Sequence, residues 1–170
     1  LVKKHGKDLK KNQLITIDGK IMAVAFMANA QHLVYRKDIL KKLNIDVPKT
    51  YEEMLSAAKK IRDAGLVKNP VGGAYKAGWN LAQEFNNMFI GYGGSHFKGN
   101  SAEPNVNSDP GIKALKMMKS LSEYMNPDFL THDSNATNAE FRAGNVAIMN
   151  MWGSRAATLV DADAVSYTHL

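Results

Sequence analysis

DGKIMAVAFMANAQHLVYRKDILKKLNIDVPKTYEEML, residues 18–55, holds two apolar, extended-looking runs separated by a small polar break, then a short helix, a Pro turn and a capped helix. Residues 21–27 hold too few polar side chains for a solvent-facing strand, and so do Leu33, Val34 and Tyr35, which predicts strands covered on both faces. Between them Ala28, Asn29, Ala30 and Gln31 form a short, polar break of the kind that suits a chain crossing between two bodies. Asp38 then offers an N-cap or first-turn carboxylate to a short helix with Ile39, Leu40 and Leu43 turned inward. Asp46, Val47 and Pro48 end it. Thr50 and Glu53 stand at capping-box spacing, Tyr51, Met54, Leu55, Ala58 and Ile61 share one face, and Gly65 supplies a stop. Residues 50–64 therefore read as a helix.

Upstream, residues 1–13 read as a polar helix or a frayed end, and residues 14–18 as a strand turning at Asp18-Gly19 into residues 21–27, a hairpin signal. Downstream, residues 68–78 read as a loop leading into a short strand, and residues 79–90 as a helix opening near Asn80 and closed by Gly91, Gly93 and Gly94. Ser108 caps the next helix, with Pro110 in the first turn, where a missing N–H costs nothing. Its buried arc is expected at Ile112, Leu115, Met118, Leu121 and Met125, and its wet arc at Lys113, Lys116, Lys119 and Glu123. Thr137 and Glu140 repeat the capping-box spacing, and Gly144 ends that helix. Residues 146–151 form an apolar strand that Gly153-Ser154 turns into a last helix. Strands alternating with helices of this length make an α/β layer structure.

A chain of 170 residues with 45% hydrophobic content is enough for one domain with a proper core. No run reaches transmembrane length, and no signal sequence is visible. The absence of Cys removes disulfides, thiolate zinc sites and a Cys nucleophile together. A net charge of +6 invites a nucleic-acid or anionic-surface reading, but much of the excess sits in Lys3, Lys4, Lys7, Lys10 and Lys11. That cluster reads as a solvated helix face, with no aromatic platform beside it to stack bases.

Enzyme chemistry finds little support. His5, His32, His96, His132 and His169 include no i, i+4 pair, so metal-ligand spacing is missing. The Gly-x-Ser-x-Gly elbow, the P-loop and the dinucleotide fingerprint are missing too. Glu52 and Glu53, as helix neighbours, diverge by about 100° and cannot face each other across a glycosidic bond. A pair assembled from distant positions, such as Glu84 with Glu103, stays open. No catalytic residue, cofactor or metal site is expected, and the chain reads as a non-enzyme.

Ala25-Phe26, Val34-Tyr35-Arg36-Lys37-Asp38, Pro48-Lys49-Thr50 and Tyr51-Glu52-Glu53 occur in one order, followed by Gly93-Gly94, Asn107-Ser108-Asp109-Pro110-Gly111 and the run EFRAGNVAIM at residues 140–149. This collinear set resembles the extracellular solute-binding proteins of sugar ABC importers, the maltose-binding-protein-like family. The resemblance implies a two-lobed α/β fold of periplasmic-binding-protein type II, of which this chain holds most of the second lobe. Residues 1–28 would be a tail of the first lobe and residues 29–164 an incomplete second lobe, while residues 165–170 fit nothing in the resemblance and are left unassigned, with a truncation or cloning scar as one reading of them. It also implies a substrate-binding subunit that takes a sugar or oligosaccharide in an interlobe cleft and delivers it to membrane permease subunits. Such a subunit is monomeric at full length, binds no nucleic acid, and works in the periplasm or as a membrane-anchored extracellular lipoprotein. A fragment of it is expected to expose the apolar faces of residues 21–27 and 146–151.

In open α/β sheets ligands gather beyond the carboxyl ends of strands, which here points to residues 28–31 and 151–155. A neutral sugar offers C–H faces to planar aromatics and hydroxyl pairs to forked polar groups. Asn29, Trp79, Asn80, Trp152 and Arg155 meet those needs by type, and Gly153 and Ser154 share the turn with them. By resemblance, Asn29 falls where relatives place a polar ligand contact just after the crossover, and Trp79 and Asn80 fall near the loop that supplies second-lobe contacts. Relatives commonly follow this strand with G-x-W, whereas here Trp152 precedes Gly153 and Arg155 follows Ser154. Trp152 therefore either stacks on a ligand or supports the loop from behind. Trp79 has the alternative of packing between lobes, and Asn80 of being an N-cap. Phe26 and Tyr35 are assigned to the core. Two rival classes remain, a basic nucleic-acid-binding domain and a glycosidase-like enzyme.

Overall fold

The computed structural model describes Lys4 and residues 6–159, so residues 165–170 lie outside the described residues. The chain divides into two compact units, Leu1–Ala30 and Gln31–Leu170.

In the first unit the polar start forms single 3-10 turns at Gly6–Asp8 and Lys11–Gln13, in place of a continuous helix. Strands β1 (Leu14–Ile17) and β2 (Lys20–Val24) then pair antiparallel. Asp18 and Gly19 both hold positive φ, 48° and 74°, which matches the right-handed twist of the flanking strands. The expected cover on both faces is absent within the described residues, because a lone hairpin brings no second layer with it. Ile21, Met22, Phe26 and Met27 are all exposed, and the strand stops at Val24 and not at Met27. Phe26, expected in the core, is 92% exposed.

The second unit runs β3 (Gln31–Tyr35), α1 (Lys37–Lys42), α2 (Tyr51–Asp63), β4 (Val71–Gly72), α3 (Trp79–Gly91), α4 (Asp109–Ser122), α5 (Ser134–Arg142), β5 (Ile148–Trp152) and α6 (Ala156–Leu159). Strand β5 is central in the order β3-β5-β4, antiparallel to β3 and parallel to β4. Alternation along the pleat divides the core. Leu33, Tyr35 and Ile148 pack with Met54, Ile61, Phe89 and Leu121, while Val34, Met149 and Met151 pack with Phe141, Val146 and Leu159. This sheet is covered on both faces, so the expected exposure of residues 146–151 does not occur.

Local chemistry explains the element ends. Thr50 accepts the Glu53 N–H at 3.1 Å, while the Glu53 carboxylate takes the Lys49 N–H at 2.6 Å, one residue further back than the reciprocal box requires. Gly65, at φ 68°, closes α2. Arg36 precedes α1 and forks onto Asp38 at 2.9 and 2.6 Å, and that hydrogen bond holds the Asp38 carboxyl below its usual range. Asp38 is thus a first-turn acid and not the N-cap.

Several boundaries depart from the pattern. β4 lies inside residues 68–78 and not after them. Gly78, at φ 99°, precedes α3, which excludes Asn80 as N-cap. On α4 the buried arc is Gly111, Ala114, Met118 and Leu121, with Ile112 and Leu115 exposed. A Cβ on Gly111 would stand 1.9 Å from the Val106 carbonyl oxygen, so backbone approaches backbone there and the contact face turns by one position. Asp133, and not Thr137, caps α5, because its carboxylate accepts two amides at once, from Asn135 and Ala136. Thr137 is buried one turn further in, its hydroxyl 3.0 Å from the carbonyls of Gly73 and Asp133.

Candidate functional site

Because β4 and β5 are parallel, Gly72 and Trp152 end at the same edge of the sheet. Residues 73–78 leave β4 there, and the 3-10 turn Gly153–Arg155 leaves β5. The start of α5 joins them, since the Lys76 N–H donates to the His132 carbonyl at 2.9 Å. Asp133 is held below the usual carboxylate range, first by the Ala136 amide and also by the nearby charges of Lys76 and Arg155. Three loops thus converge with two cations and one acid among them.

Trp79 opens α3 with 60% of its surface exposed, and it stacks on Trp152 with ring centroids 5.2 Å apart and planes 24° apart. The half-buried Trp152 also rests on the cluster of Phe141, Val146 and Met151. It therefore supports the turn and carries the exposed indole of Trp79 at once. Asn80 is half-buried in the first turn of α3, Gly153 and Arg155 are half-buried, and Ser154 is exposed. Asn29 is exposed in the first unit and does not share a unit with the tryptophans.

A buried polar group underlies this edge, and sequence reading missed most of it. Glu84 on α3 is 2% exposed, with the Ala74 N–H 3.4 Å from its Oε1. Burial pushes its carboxyl up to about 7, against the opposing pull of the Ala74 amide and the Asn150 side chain. Asn150 also donates to the Tyr51 hydroxyl at 3.4 Å. Burial pushes the phenols of Tyr51 and Tyr75 up as well, with the charge of Glu84 adding to both. The Tyr75 hydroxyl is buried without a hydrogen-bond partner. Further along α3, Asn87 donates to Gln31, the residue opposite Trp152 in the β3–β5 register. A cavity of about 210 Å³ beside this group is lined by Leu33, Pro48, Thr50, Tyr51, Met54 and Asn150.

The Glu84–Glu103 pair does not form. Glu103 is exposed and ion-paired to Lys98 at 2.5 Å, while Glu84 is enclosed by α2, β5 and the residues after β4. Asn80, Glu84 and Asn87 recur at helical spacing between Leu81, Phe85 and Met88, a pattern that reads as a wet stripe until tertiary packing turns it inward. Among the described residues no cluster of His, Asp or Glu is placed to hold a metal ion, and no helix is long and apolar enough to cross a membrane.

Residues 3–168 match the family model described as bacterial extracellular solute-binding protein. A probable ABC transporter-binding protein of Deinococcus radiodurans is 30% identical over 159 residues, which is 89% of this chain and 37% of that protein. An ABC transporter solute-binding protein of Agrobacterium radiobacter K84, solved in complex with ribitol, superposes with a TM-score of 0.80 at 28% identity, over 96% of this chain and 43% of that one. The maltose-bound MalE3 of T. maritima has the same fold, with a TM-score of 0.74 at 22% identity over 89% of this chain and 41% of that one. The chain spans less than half the length of each of these relatives.

Proposed function

Since the chain belongs to the bacterial extracellular solute-binding proteins, we propose that it forms part of a two-lobed receptor that binds a carbohydrate or polyol and delivers it to the permease of an ABC importer. In this reading residues 29–164 are most of the second lobe and residues 1–28 a tail of the first. The single observation that carries the ligand class is the stacked pair Trp79 and Trp152 at the carboxyl edge of the parallel strands, with Trp79 left 60% exposed. An exposed indole backed by a second indole is a rigid apolar platform for the C–H face of a pyranose or the carbon chain of a polyol. Asn80 and Arg155 stand at the same turns and supply forked donors for adjacent hydroxyls. Ligands found in similar proteins, ribitol in one and maltose in another, support the class.

Binding of this kind makes and breaks no covalent bond, so it asks nothing of the chain beyond contacts that differ between open and closed lobes. The lobes close because the closed state has the added contacts, and the closed form is what a permease would recognise. The receptor would act as a monomer outside the cytoplasmic membrane, held there by a lipid anchor. The test is calorimetric titration of the longer protein containing this chain against ribitol, mannitol, maltose and laminaribiose, each at low and high salt. Saturable heat with at least one of them, insensitive to salt, is expected. Silence with all four, alongside binding to a duplex DNA that weakens steeply with salt, would replace the carbohydrate reading with a nucleic-acid one.

A further inference from the structure

Helix α3 meets the sheet through three polar or aromatic side-chain pairs. Trp79 stacks on Trp152 at its start, Glu84 lies against Asn150 in the middle, and Asn87 donates to Gln31 further along. Asn150 precedes Trp152 by two residues on β5, so the Glu84 contact and the tryptophan stack join the same two elements. The Glu84 contact therefore ties the helix that carries Trp79 to the strand that carries Trp152. Glu84 is the one charged residue of α3, and among the described residues it forms no ion pair. The groups that face it are the phenol of Tyr51 from α2, the phenol of Tyr75 from the segment after β4, the amide of Asn150 from β5 and the Ala74 N–H. None of these is a cation.

We propose that Glu84 is a positioning residue for the tryptophan pair, which as a neutral acid clamps α3 to β5 and on losing its proton releases the stack. A carboxylate 2% exposed with no cation beside it is disfavoured, the Ala74 and Asn150 donors offset only part of that cost, and movement of α3 off the sheet would return it to water. The rise of its carboxyl to about 7 puts that change within the neutral range. The clamp itself does not depend on what the site binds. Its consequence for a ligand, an affinity that falls as pH rises, rests on the carbohydrate reading above.

Two stacked indoles give an exciton couplet in far-ultraviolet circular dichroism, and the chain has only two Trp, so the couplet reports this pair alone. The spectrum is recorded on the full chain from about pH 5 to about pH 9, spanning a carboxyl near 7. Trp79→Phe identifies the couplet by abolishing it. The expected result is a full couplet at the acid end that falls several-fold through neutral pH in the parent, and a couplet constant across the range in Glu84→Gln, whose amide has the same shape and no charge to gain. A parent couplet that does not change with pH, or one that titrates equally in Glu84→Gln, or none even at the acid end, overturns the clamp. Ribitol and maltose titrations at both ends of the range separate the two readings. A titrating couplet with no binding of either keeps the clamp and removes the carbohydrate reading, and pH-independent binding with a constant couplet does the reverse.

Discussion

Replacing Trp79 with alanine separates a ligand platform from a packing residue, and the structure sets the size of each effect. The side chain is 60% exposed, so about two-fifths of its roughly 250 Å² is buried, or about 100 Å². At about 25 cal/mol per Å² that is about 2.5 kcal/mol, and closer to 2 kcal/mol once a compact unfolded chain is allowed for. A fully buried tryptophan would cost about 3 to 5 kcal/mol. Denaturant unfolding followed by circular dichroism should therefore show a loss of about 2 kcal/mol or less. If a sugar lies on the exposed face, affinity should fall in addition by about five- to a hundredfold, equivalent to about 1 to 3 kcal/mol. Trp152→Ala should cost more stability than Trp79→Ala, because its other side rests on the Phe141 cluster. The assay pairs unfolding without ligand and calorimetric titration of ribitol and maltose, on the longer protein and both variants. A fall of about 4 kcal/mol in stability for Trp79→Ala with unchanged affinity would make Trp79 a core residue and not a ligand platform.

Glu84 makes stability pH-dependent in a defined direction. Its folded value of about 7 lies above the ordinary 4.5, so its stabilising contribution is fully present below 4.5 and is lost as pH rises through about 7. The loss is on the order of 3 kcal/mol in the parent and vanishes in Glu84→Gln, as measured by unfolding midpoints at pH values on either side. Gly111→Ala puts a methyl 1.9 Å from the Val106 carbonyl oxygen, so α4 must shift, and a cost of about 1 to 3 kcal/mol or more is expected in denaturant unfolding. The hairpin leaves Ile15, Ile17, Ile21, Met22, Phe26 and Met27 exposed, so the chain on its own should self-associate with rising concentration in light scattering, and Met22→Lys with Phe26→Ser should reduce this. A strictly monomeric parent at every concentration would contradict that account.

Much of the fold was legible because its signals are local. The Asp18-Gly19 turn, the Thr50 cap and the Gly65 stop each depend on a few adjacent residues, and each stands where its chemistry puts it. What failed depended on distant partners. The arc of α4 turned because Gly111 lets the Val106 backbone in, which no periodicity reports. Thr137 looked like a cap by spacing, but Asp133 reaches two amides and Thr137 is wanted inside, against Gly73. The site divides in the same way. Trp79 and Trp152 were nameable as types, yet their 5.2 Å stack joins residues 73 positions apart (152 − 79) and follows only from the parallel pairing of β4 with β5. Glu84 was invisible as a buried acid because a Glu between Asn80 and Asn87 on an amphipathic helix ordinarily faces water.

The proposal that carbohydrate meets this chain at the stacked tryptophans can be read out by nuclear magnetic resonance of their side chains. The sequence holds two Trp, so a ¹⁵N-labelled sample gives two indole N–H signals, assigned by Trp79→Phe and Trp152→Phe. In the proposed two-lobed receptor this chain would supply only part of the contacts, and forgoing about 4 kcal/mol of them would weaken a micromolar site to about millimolar, a range in which shift changes still follow a titration. Ribitol and maltose are added in steps to that range. Both indole signals are expected to move together along one saturable curve for at least one of them, with amides of residues 79–80 and 153–155 moving alongside. If both indole signals stay fixed while signals elsewhere in the chain follow the titration, the carbohydrate is bound somewhere else and the claim is wrong.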